Sequence, residues 1–559
     1  MTETENNQIF ASEINEDYIE IIAKFNGDLT QLAMDLSATV EILTCNYAVI
    51  TLPYGNLDLI YNYSEIEYVE LPKNLTYLLF ENLHSVGVTS VKSRLNYGLT
   101  GEGVIVGIID SGIDYTHRDF RNVDGSTRIM YLWDQNIPGN PPEGFVNGSV
   151  YDESDINEAL RSDHPYSIVP SRDSAGHGTA VAGIAAGNGN ESGGAETGVA
   201  SSSPLIIVKL GNYDSEFVTR STEIMRAAKF IIDKAIQHNM PVSINLSYGT
   251  NNGSHDGESI FEQYMDTICD MWKNVTSVAV GNEGVADHHY SAIVRNYSVQ
   301  IVEFICTNNL NGFYLSLWKS FNDSMTFELV SPSGKSSGIV SYSNRNFVIS
   351  MDGFNVMVNY TLPTHYSTNQ EIYFRFQTGN TEAVNGVWRL YINCGNIVDG
   401  LVNIWMSTLE DVLDNAFFLQ ADVYGTITIA STTRRVISVG GFNSYNNTFA
   451  QFSGRGGMGG IKYPNITAPA VNIYTCKAGG GYGTFTGTSM AAPFVCGSAA
   501  LMMQWGIVRG NDPFLYGQKI KAFLQRSARR TTYISYPDPA WGYGVLDLEQ
   551  AMDELAFIY

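Results

Sequence analysis

The stretch Gly487-Thr488-Ser489-Met490-Ala491-Ala492-Pro493, near the C-terminal end, decides how the rest of the chain is interpreted. Small residues flank one serine, and an apolar run from Phe494 to Trp505 follows at once. This pattern predicts a serine at the N-terminus of a buried helix, where free backbone N–H groups favour developing negative charge. We place Pro493 within the first turn or so of that helix, where its missing N–H costs least. The motif therefore suggests a nucleophile.

The composition restricts the class of protein. A chain of 559 residues predicts about two to four domains. Its 44% apolar and 12% aromatic content supports a large core and argues against disorder. A formal net charge of −25 argues against nucleic acid as a partner. No apolar run reaches the roughly 18 residues that a membrane span needs, so we expect no membrane span.

The termini and cysteines give further expectations. The acidic start, Met1 to Asn7, has neither a basic nor an apolar region, so we expect no Sec signal peptide. Six scattered cysteines without Cys-x-x-Cys spacing predict reduced, mostly buried thiols and no metal. The loop 188–197 has no clear ligand pattern either. We therefore predict neither a metal nor another cofactor.

Two residues that could take part in catalysis lie at the ends of predicted elements in an α/β region. The apolar strand that begins at Gly103 ends at Asp110, and the small-residue helix 177–187 begins at His177, 67 residues later. Strands and helices alternate up to about residue 290, which predicts a doubly wound parallel sheet. Functional groups gather at the carboxyl ends of such strands. Asp110 and His177 are therefore candidates for one site.

Two regions depart from this alternation. Residues 16–80 predict a small α+β unit, with a strand over 18–25, a helix over 29–36, strands within 40–53, and a second helix and closing strand within 57–71. Residues 290–412 contain short alternating strands between turns and predict a β-sandwich inserted in the α/β domain. The α/β pattern resumes at about residue 435 and includes the serine motif.

An aspartate, a histidine and a serine in special turns of one domain are what acyl transfer requires. A serine hydroxyl is a weak nucleophile until a base takes its proton. An imidazole can be that base, and a buried carboxylate fixes its tautomer. The tetrahedral oxyanion needs donors, for which the Ser489 backbone N–H and the amide of Asn282, at the end of another predicted strand, are natural candidates.

Together these motifs resemble the three signatures of subtilisin-type serine proteases: Asp110-Ser111-Gly112, His177-Gly178-Thr179 and Gly487 to Pro493, in that family's order. The resemblance implies a catalytic triad of Asp110, His177 and Ser489, with Asn282 in the oxyanion hole. It implies that the substrate backbone and the S1 cleft are bordered by two segments: Ser247, Tyr248 and Gly249, and Ala279, Val280 and Gly281. It also implies a propeptide, residues 1–84, cleaved near 80–87 by the protease domain, residues 85–559.

The predicted insertion and the missing signal peptide resemble one subgroup, the Csp-type subtilases of spore-forming anaerobes. This resemblance implies that residues 290–412 form a jelly roll and that the cleaved propeptide stays bound. It also implies limited proteolysis of another protein, the proenzyme of a spore cortex-lytic enzyme, during germination. The expected partners are therefore a protein or peptide substrate and the chain's own propeptide.

Three functional interpretations remain open at this point. The first is an active, self-processing endopeptidase. The second is a catalytically silent pseudoprotease that acts as a binding module through the jelly roll. The third is an active protease that its retained propeptide keeps latent. The location is also open between the spore and the cytoplasm in which the chain is made, and the sequence does not identify the substrate.

Overall fold

The computed structural model describes residues 18–44, 46–72, 74–77, 85–211, 219–307, 310, 312–365, 367–379 and 384–558. Cys45 lies outside this part, and the five described cysteines are all free and buried. Most of the predicted cleavage region, residues 80–87, also lies outside it.

The N-terminal unit is a four-stranded antiparallel sheet in the order β2-β3-β1-β4. Its apolar face packs with a short helix around a small core of its own. The second helix and the closing strand predicted within 57–71 are confirmed: a 3-10 helix covers Tyr54–Asn62, and β4 begins at Ile66. The elements are β1 Tyr18–Phe25, α1 Thr30–Asp35, β2 Thr39–Thr44, β3 Tyr47–Pro53, β4 Ile66–Glu70 and, beyond the sheet, β5 Asn74–Tyr77.

The large sheet has the order β25-β24-β13-β11-β6-β9-β7-β8, with β26 beside β24. Its central pairs are parallel, whereas β8 and β25 pair antiparallel at the two ends. The first half of the α/β unit comprises α2 Val88–Lys92, β6 Ile105–Asp110, β7 Ile129–Asp134, β8 Ser149–Asp152, α3 Glu153–Arg161, α4 His177–Ala186, β9 Leu205–Lys209, β10 Thr219–Arg220, α5 Ser221–Gln237, β11 Val242–Leu246, β12 Tyr248–Gly249, α6 Ile260–Asp270 and β13 Asn274–Ala279. Of these strands, β10 and β12 lie outside the large sheet and pair with β5.

Between the two halves, a region rich in β-strands forms two antiparallel sheets, β14-β22-β16-β20-β19-β18 and β17-β21-β15-β23. Alternate residues of their strands, such as those of β20, are buried in one shared apolar core. The elements are β14 His289–Ile293, β15 Val299–Cys306, β16 Gly312–Ser320, β17 Met325–Val330, β18 Asn346–Met351, β19 Phe354–Tyr360, β20 Asn369–Thr378, β21 Gly386–Cys394, β22 Leu401–Met406, α7 Leu409–Val412 and β23 Ala416–Phe418.

The C-terminal part returns to the large sheet and supplies the helix that carries the serine motif. Its elements are β24 Ile437–Asn443, β25 Thr448–Phe449, β26 Ile466–Pro469, β27 Ile473–Cys476, β28 Tyr482–Phe485, α8 Thr488–Met503, α9 Gln518–Ser527 and α10 Leu548–Ile558. A π-helical turn, Gln504–Val508, continues α8.

The large sheet has a core on each face, as predicted for a doubly wound α/β fold. In β6, Val106 and Ile108 belong to the core that contains α4 and α8, whereas Ile105 and Ile109 belong to the core that contains α5 and α6. A strand that is buried on both faces needs the continuous apolar sequence that the chain has here. The α/β prediction is confirmed.

One described helical segment, Thr488–Val508, is long and apolar enough to cross a membrane by length and composition. However, 89% of its apolar window is buried inside the protein. A core helix of a large domain passes the same test, because it is apolar all round.

Candidate active site

Asp110 and His177 meet at the carboxyl edge of the large sheet. Asp110 is the last residue of β6, and His177 is the first residue of α4. The His177 Nδ1 atom lies 2.6 Å from Asp110 Oδ1, and both side chains are fully buried. Because a carboxylate oxygen accepts, Nδ1–H donates to it. That tautomer leaves Nε2 as the basic nitrogen of the neutral ring.

Asp173, which the sequence interpretation missed, holds this pair in position. Its Oδ2 accepts from the backbone N–H (2.8 Å) and hydroxyl (2.6 Å) of Thr179, in the first turn of α4. Its Oδ1 accepts from the hydroxyl of Ser111 at 2.8 Å. An acidic residue four positions before the histidine was the available signal, because carboxylates commonly satisfy the free N–H groups at the start of a helix.

The residue after the histidine must be a glycine for steric reasons. A Cβ atom at Gly178 would lie 2.1 Å from the carbonyl oxygen of Gly112 and 3.1 Å from Cβ of Asp110. The backbone of α4 can therefore approach the end of β6 closely only without a side chain at this position. The His-Gly dipeptide thus brings the imidazole to the carboxylate.

Ser489 is the second residue of α8, which packs against α4. Its hydroxyl is buried and has no hydrogen-bond partner among the described residues. Pro493 is the sixth helical residue, so the predicted place in the first turn is wrong. Because a proline has no N–H, the carbonyl of Ser489 lacks its usual helical donor. The hydroxyl of Ser247 donates to that carbonyl instead, at 3.1 Å.

Asn282 follows β13 and faces the start of α8. Its Oδ1 accepts from the backbone N–H of Thr488 at 3.1 Å and from the Thr488 hydroxyl at 3.2 Å. A backbone N–H can only donate, so the amide oxygen faces Thr488 and the amide NH₂ points away from it. The structure therefore fixes the orientation of a donor next to the serine-bearing turn.

The six residues predicted to contact substrate are all buried in two adjacent segments. Thr428 packs against both segments: a Cβ at Gly249 would lie 2.3 Å from its Oγ1, and one at Gly281 would lie 2.5 Å from its Cγ2. No local sequence pattern indicates Thr428. The structure thus joins the segment Ser247–Gly249 and the segment Ala279–Gly281 through one threonine.

The backbone of β5 lies beside the first of these segments. In this antiparallel pairing, Tyr248 is opposite Tyr77 and Gly249 is opposite Thr76. On its other side β5 pairs with β10, where Thr219 is opposite Leu75. A stretch of chain from the N-terminal side thus forms the middle strand between two segments of the α/β unit. This is how an extended peptide adds to a sheet edge.

The side chains of His117, His288 and His289 are each only 2% exposed. His117, Asp119 and Cys476 offer ligand atoms within 4.8 Å of one another. However, burial and then Asp119 raise the pKa of the Cys476 thiol well above its usual value. His117 already contacts the Asp119 N–H through Nδ1 and the Gly481 carbonyl through Nε2. This set is poorly suited to a metal.

A buried aspartate–histidine pair beside a helix that begins with a serine is the arrangement of serine peptidases with an Asp-His-Ser triad. Comparison with known proteins gives the family. The model of the subtilase family matches residues 101–386 and 408–544, and that of the Csp protease B prodomain matches residues 1–73. This chain belongs to the subtilase family of serine peptidases and carries a Csp-type prodomain.

Individual relatives agree with this assignment. The structure of the Clostridium perfringens CspB protease is 38% identical, with a TM-score of 0.77, and the match covers 84% of this chain and 96% of that one. The PI-type proteinase of Lactococcus lactis subsp. cremoris is 22% identical over 82% of this chain. The chain spans only 26% of that proteinase's length. The serine protease AprX of Bacillus subtilis is 30% identical over 149 residues, 23% of this chain and 32% of AprX.

Proposed function

We propose that the chain is a serine endopeptidase that uses Asp110, His177 and Ser489 as its catalytic triad. The observation that carries the proposal is the 2.6 Å contact between His177 Nδ1 and Asp110 Oδ1, next to a helix whose second residue is Ser489. The Ser489 hydroxyl is buried and has no hydrogen-bond partner among the described residues. Family membership supports the same assignment.

The proposed reaction follows from these positions. His177 Nε2 takes the proton of the Ser489 hydroxyl as its oxygen attacks a peptide carbonyl, and Asp110 stabilises the resulting imidazolium. The Ser489 N–H and the Asn282 amide NH₂ donate to the tetrahedral oxyanion. His177 then protonates the leaving amine, and water hydrolyses the acyl-enzyme by the same steps in reverse order.

We assign substrate backbone binding to Ser247, Tyr248 and Gly249, and the wall of the S1 cleft to Ala279, Val280 and Gly281. The pairing of β12 with β5 supports the first assignment, since β5 is an extended segment of the chain itself. The contact between Ser247 and the carbonyl of Ser489 supports it too, because it joins this segment to the nucleophile's turn.

We further propose that residues 1–84 are a prodomain which the protease domain, residues 85–559, removes by self-cleavage. The match of residues 1–73 to a Csp prodomain supports this division. The two packed antiparallel sheets support a jelly roll inserted at 290–412. By analogy with Csp-type subtilases, the second substrate is a proenzyme of a spore cortex-lytic enzyme, activated by limited proteolysis.

Self-cleavage is tested by purifying the wild-type chain beside Ser489→Ala and determining the N-termini. We expect two fragments, split near residue 84, from the wild type and one intact chain from the variant. Fragments from both would mean that another protease cuts the chain. An intact wild type would instead favour the pseudoprotease that binds through its jelly roll.

A latent form of the same enzyme is favoured by one specific observation, the position of β5 between β10 and β12. If the N-terminal fragment stays there after cleavage, it blocks the proposed substrate strand. We expect the self-cleaved chain to hydrolyse casein only after the fragment is displaced. Full activity with the fragment still bound would contradict latency but not the triad.

A further inference from the structure

The turn that carries Ser489 is attached to neighbouring segments at two points. On one side, Asn282 Oδ1 accepts from the backbone N–H of Thr488 at 3.1 Å. On the other side, the hydroxyl of Ser247 donates to the carbonyl of Ser489 at 3.1 Å. Ser247 directly follows β11, which is a central strand of the large sheet. The backbone is therefore held immediately before and immediately after the proposed nucleophile.

The carbonyl of Ser489 depends on a donor from outside its own helix. In an α-helix the carbonyl of one residue accepts from the N–H four residues later. For Ser489 that residue is Pro493, which has no N–H and whose ring clashes with the carbonyl. The Ser247 hydroxyl takes the place of the missing donor. Both serines are fully buried, and a buried acceptor that loses its donor is costly.

A second side chain fixes the direction of the Ser247 hydroxyl. Asn245 lies on β11 and is fully buried, and its Nδ2 donates to Ser247 Oγ at 3.0 Å. A serine hydroxyl has one proton to donate, and here that proton goes to the Ser489 carbonyl while the oxygen accepts from Asn245. The Oδ1 atom of Asn245 is buried and has no hydrogen-bond partner among the described residues. A buried amide oxygen without a partner is uncommon and suggests a role besides stability.

We propose that Asn245 and the side chain of Ser247 are positioning residues that hold the backbone of Ser489. The carbonyl and the Cβ atom of Ser489 are bonded to the Cα atom or its neighbour, so fixing the carbonyl restricts the direction in which the side chain leaves the helix. The hydroxyl and the backbone N–H of Ser489 are thereby held ready for attack and for oxyanion binding. This inference rests on the proposed function and adds Asn245 to the site.

A second hydroxyl on β11 offers a matched comparison. Ser243 is also fully buried, and its hydroxyl donates to the carbonyl of Cys496, on the same helix α8, at 2.7 Å. Four residues after Cys496 stands Ala500, whose N–H can supply the usual helical bond. The Ser243 hydroxyl thus adds a bond to a carbonyl that has a helical donor, whereas the Ser247 hydroxyl replaces one that the helix lacks.

The experiment uses the full chain and compares wild type with Ser247→Ala, Asn245→Ala, Pro493→Ala and the combinations of these changes. Ser243→Ala is the control for loss of a buried hydroxyl between β11 and α8. Each urea-denatured chain is diluted into buffer, and the rate of self-cleavage is measured on gels. The same chains in a Ser489→Ala background, followed by tryptophan fluorescence, give the rate of folding as a reference.

We expect Ser247→Ala to self-cleave about 10- to 100-fold more slowly than wild type at an unchanged folding rate, because a buried carbonyl loses its donor. Pro493→Ala restores an N–H four residues after Ser489. In that background, removal of the Ser247 hydroxyl should slow self-cleavage less than about threefold, since the helix itself can supply the bond. Ser243→Ala should follow the wild-type rate.

Asn245→Ala tests the second bond of the chain Asn245–Ser247–Ser489. It should slow self-cleavage about 2- to 10-fold, the usual effect of one hydrogen bond. Because Asn245 acts through the Ser247 hydroxyl, the same change should add little once Ser247 is alanine. Pro493→Ala should relieve the effect of Asn245→Ala as well.

A Ser247→Ala chain that folds normally and self-cleaves at the wild-type rate would overturn the inference. A slowdown that Pro493→Ala does not relieve would also overturn it, because the hydroxyl would then act through something other than the Ser489 carbonyl. If Ser247→Ala does not fold, the comparison of Asn245→Ala with and without Pro493→Ala decides in the same way. A wild-type chain that never self-cleaves would instead refute the proposed function, and this inference with it.

Discussion

The buried guanidinium of Arg226 allows a quantitative test of how the N-terminal unit is held. Arg226 lies on α5 and is 1% exposed. Its Nε donates to Glu41 of β2 at 2.8 Å, its Nη1 to Glu223 at 2.7 Å, and its Nη2 to Glu20 of β1. The Thr222 hydroxyl also donates to Glu20. One cation of the α/β unit thus compensates two carboxylates of the N-terminal unit.

The perturbation is Arg226→Met, which keeps much of the volume and removes the charge. The two carboxylates from the N-terminal unit then either stay buried and uncompensated or take up protons. Protonating a carboxyl of ordinary pKa 4.5 at pH 7.5 costs about 4 kcal/mol, so this value is an upper limit for each group. Breaking a buried ion pair typically costs about 3–5 kcal/mol, or roughly 100- to 4,000-fold in affinity.

The assay measures how much cleaved N-terminal fragment stays bound as the self-processed protein is diluted. Arg526→Met serves as the matched control, because its pair with Glu554 is on the surface, where Arg526 is 70% exposed. Such a pair contributes about 1 kcal/mol at most, so the control should change affinity less than about fivefold. At pH 5.5 the cost of protonation falls to about 1.4 kcal/mol per group, so the defect of Arg226→Met should shrink.

Two results would refute this reasoning. One is an N-terminal fragment that binds the Arg226→Met protease domain as tightly as the wild-type domain at pH 7.5. The other is an equally large loss at pH 5.5 and pH 7.5, which would mean that packing and not charge compensation is responsible.

Three further predictions concern the site and its supports. Asn282→Ala should lower the rate of self-cleavage about 100- to 1,000-fold, the magnitude known for removal of the equivalent donor in subtilisin, with little change in folding. An unchanged rate of self-cleavage would mean that Asn282 is not part of the oxyanion hole. Gly178→Ala should abolish self-cleavage and lower the melting temperature, because its Cβ would lie 2.1 Å from a backbone oxygen, whereas Gly55→Ala, with open space around it, should change neither. In the folded state burial, and then repulsion by Glu283, raises the pKa of Glu410 to about 8, so its contribution to the free energy of unfolding is lost as pH rises from about 4 to about 8. Glu410→Gln should therefore flatten the decline of this free energy with pH, measured by urea titration. A variant curve parallel to that of the wild type would contradict the raised pKa.

The parts of the fold that local sequence determines were predictable. The strand predicted over residues 18–25 is β1, and the helix predicted to begin at His177 is α4, because apolar periodicity and small-residue runs act within a few residues. The helix and closing strand predicted within 57–71 also form, although the helix is of the 3-10 type and begins at Tyr54.

Within the candidate site, sequence motifs marked the groups that we propose to carry the chemistry, but no motif marked the residues that hold them. Asp110, His177 and Ser489 each lie in a motif that is recognisable locally. Thr428 acts through contacts with Gly249 and Gly281, which lie 179 and 147 positions away in sequence, and no local pattern marks it. The burial of His288 has the same origin: its partner Glu283 is near in sequence, but Ala416 and Leu409, which contact His288 and Glu283, are more than 120 positions away.

The distance between Asn282 and Ser489 in sequence has a physical consequence for catalysis. Two antiparallel sheets with their own core lie between them in the chain, yet Asn282 Oδ1 accepts from the backbone of Thr488. The region that separates the two also returns α7 to Glu283, directly beside the amide. We therefore expect the proposed oxyanion donors to be aligned when the inserted sheets are folded and docked. On this argument, a substitution in the core of the insertion should impair self-cleavage without touching the proposed triad.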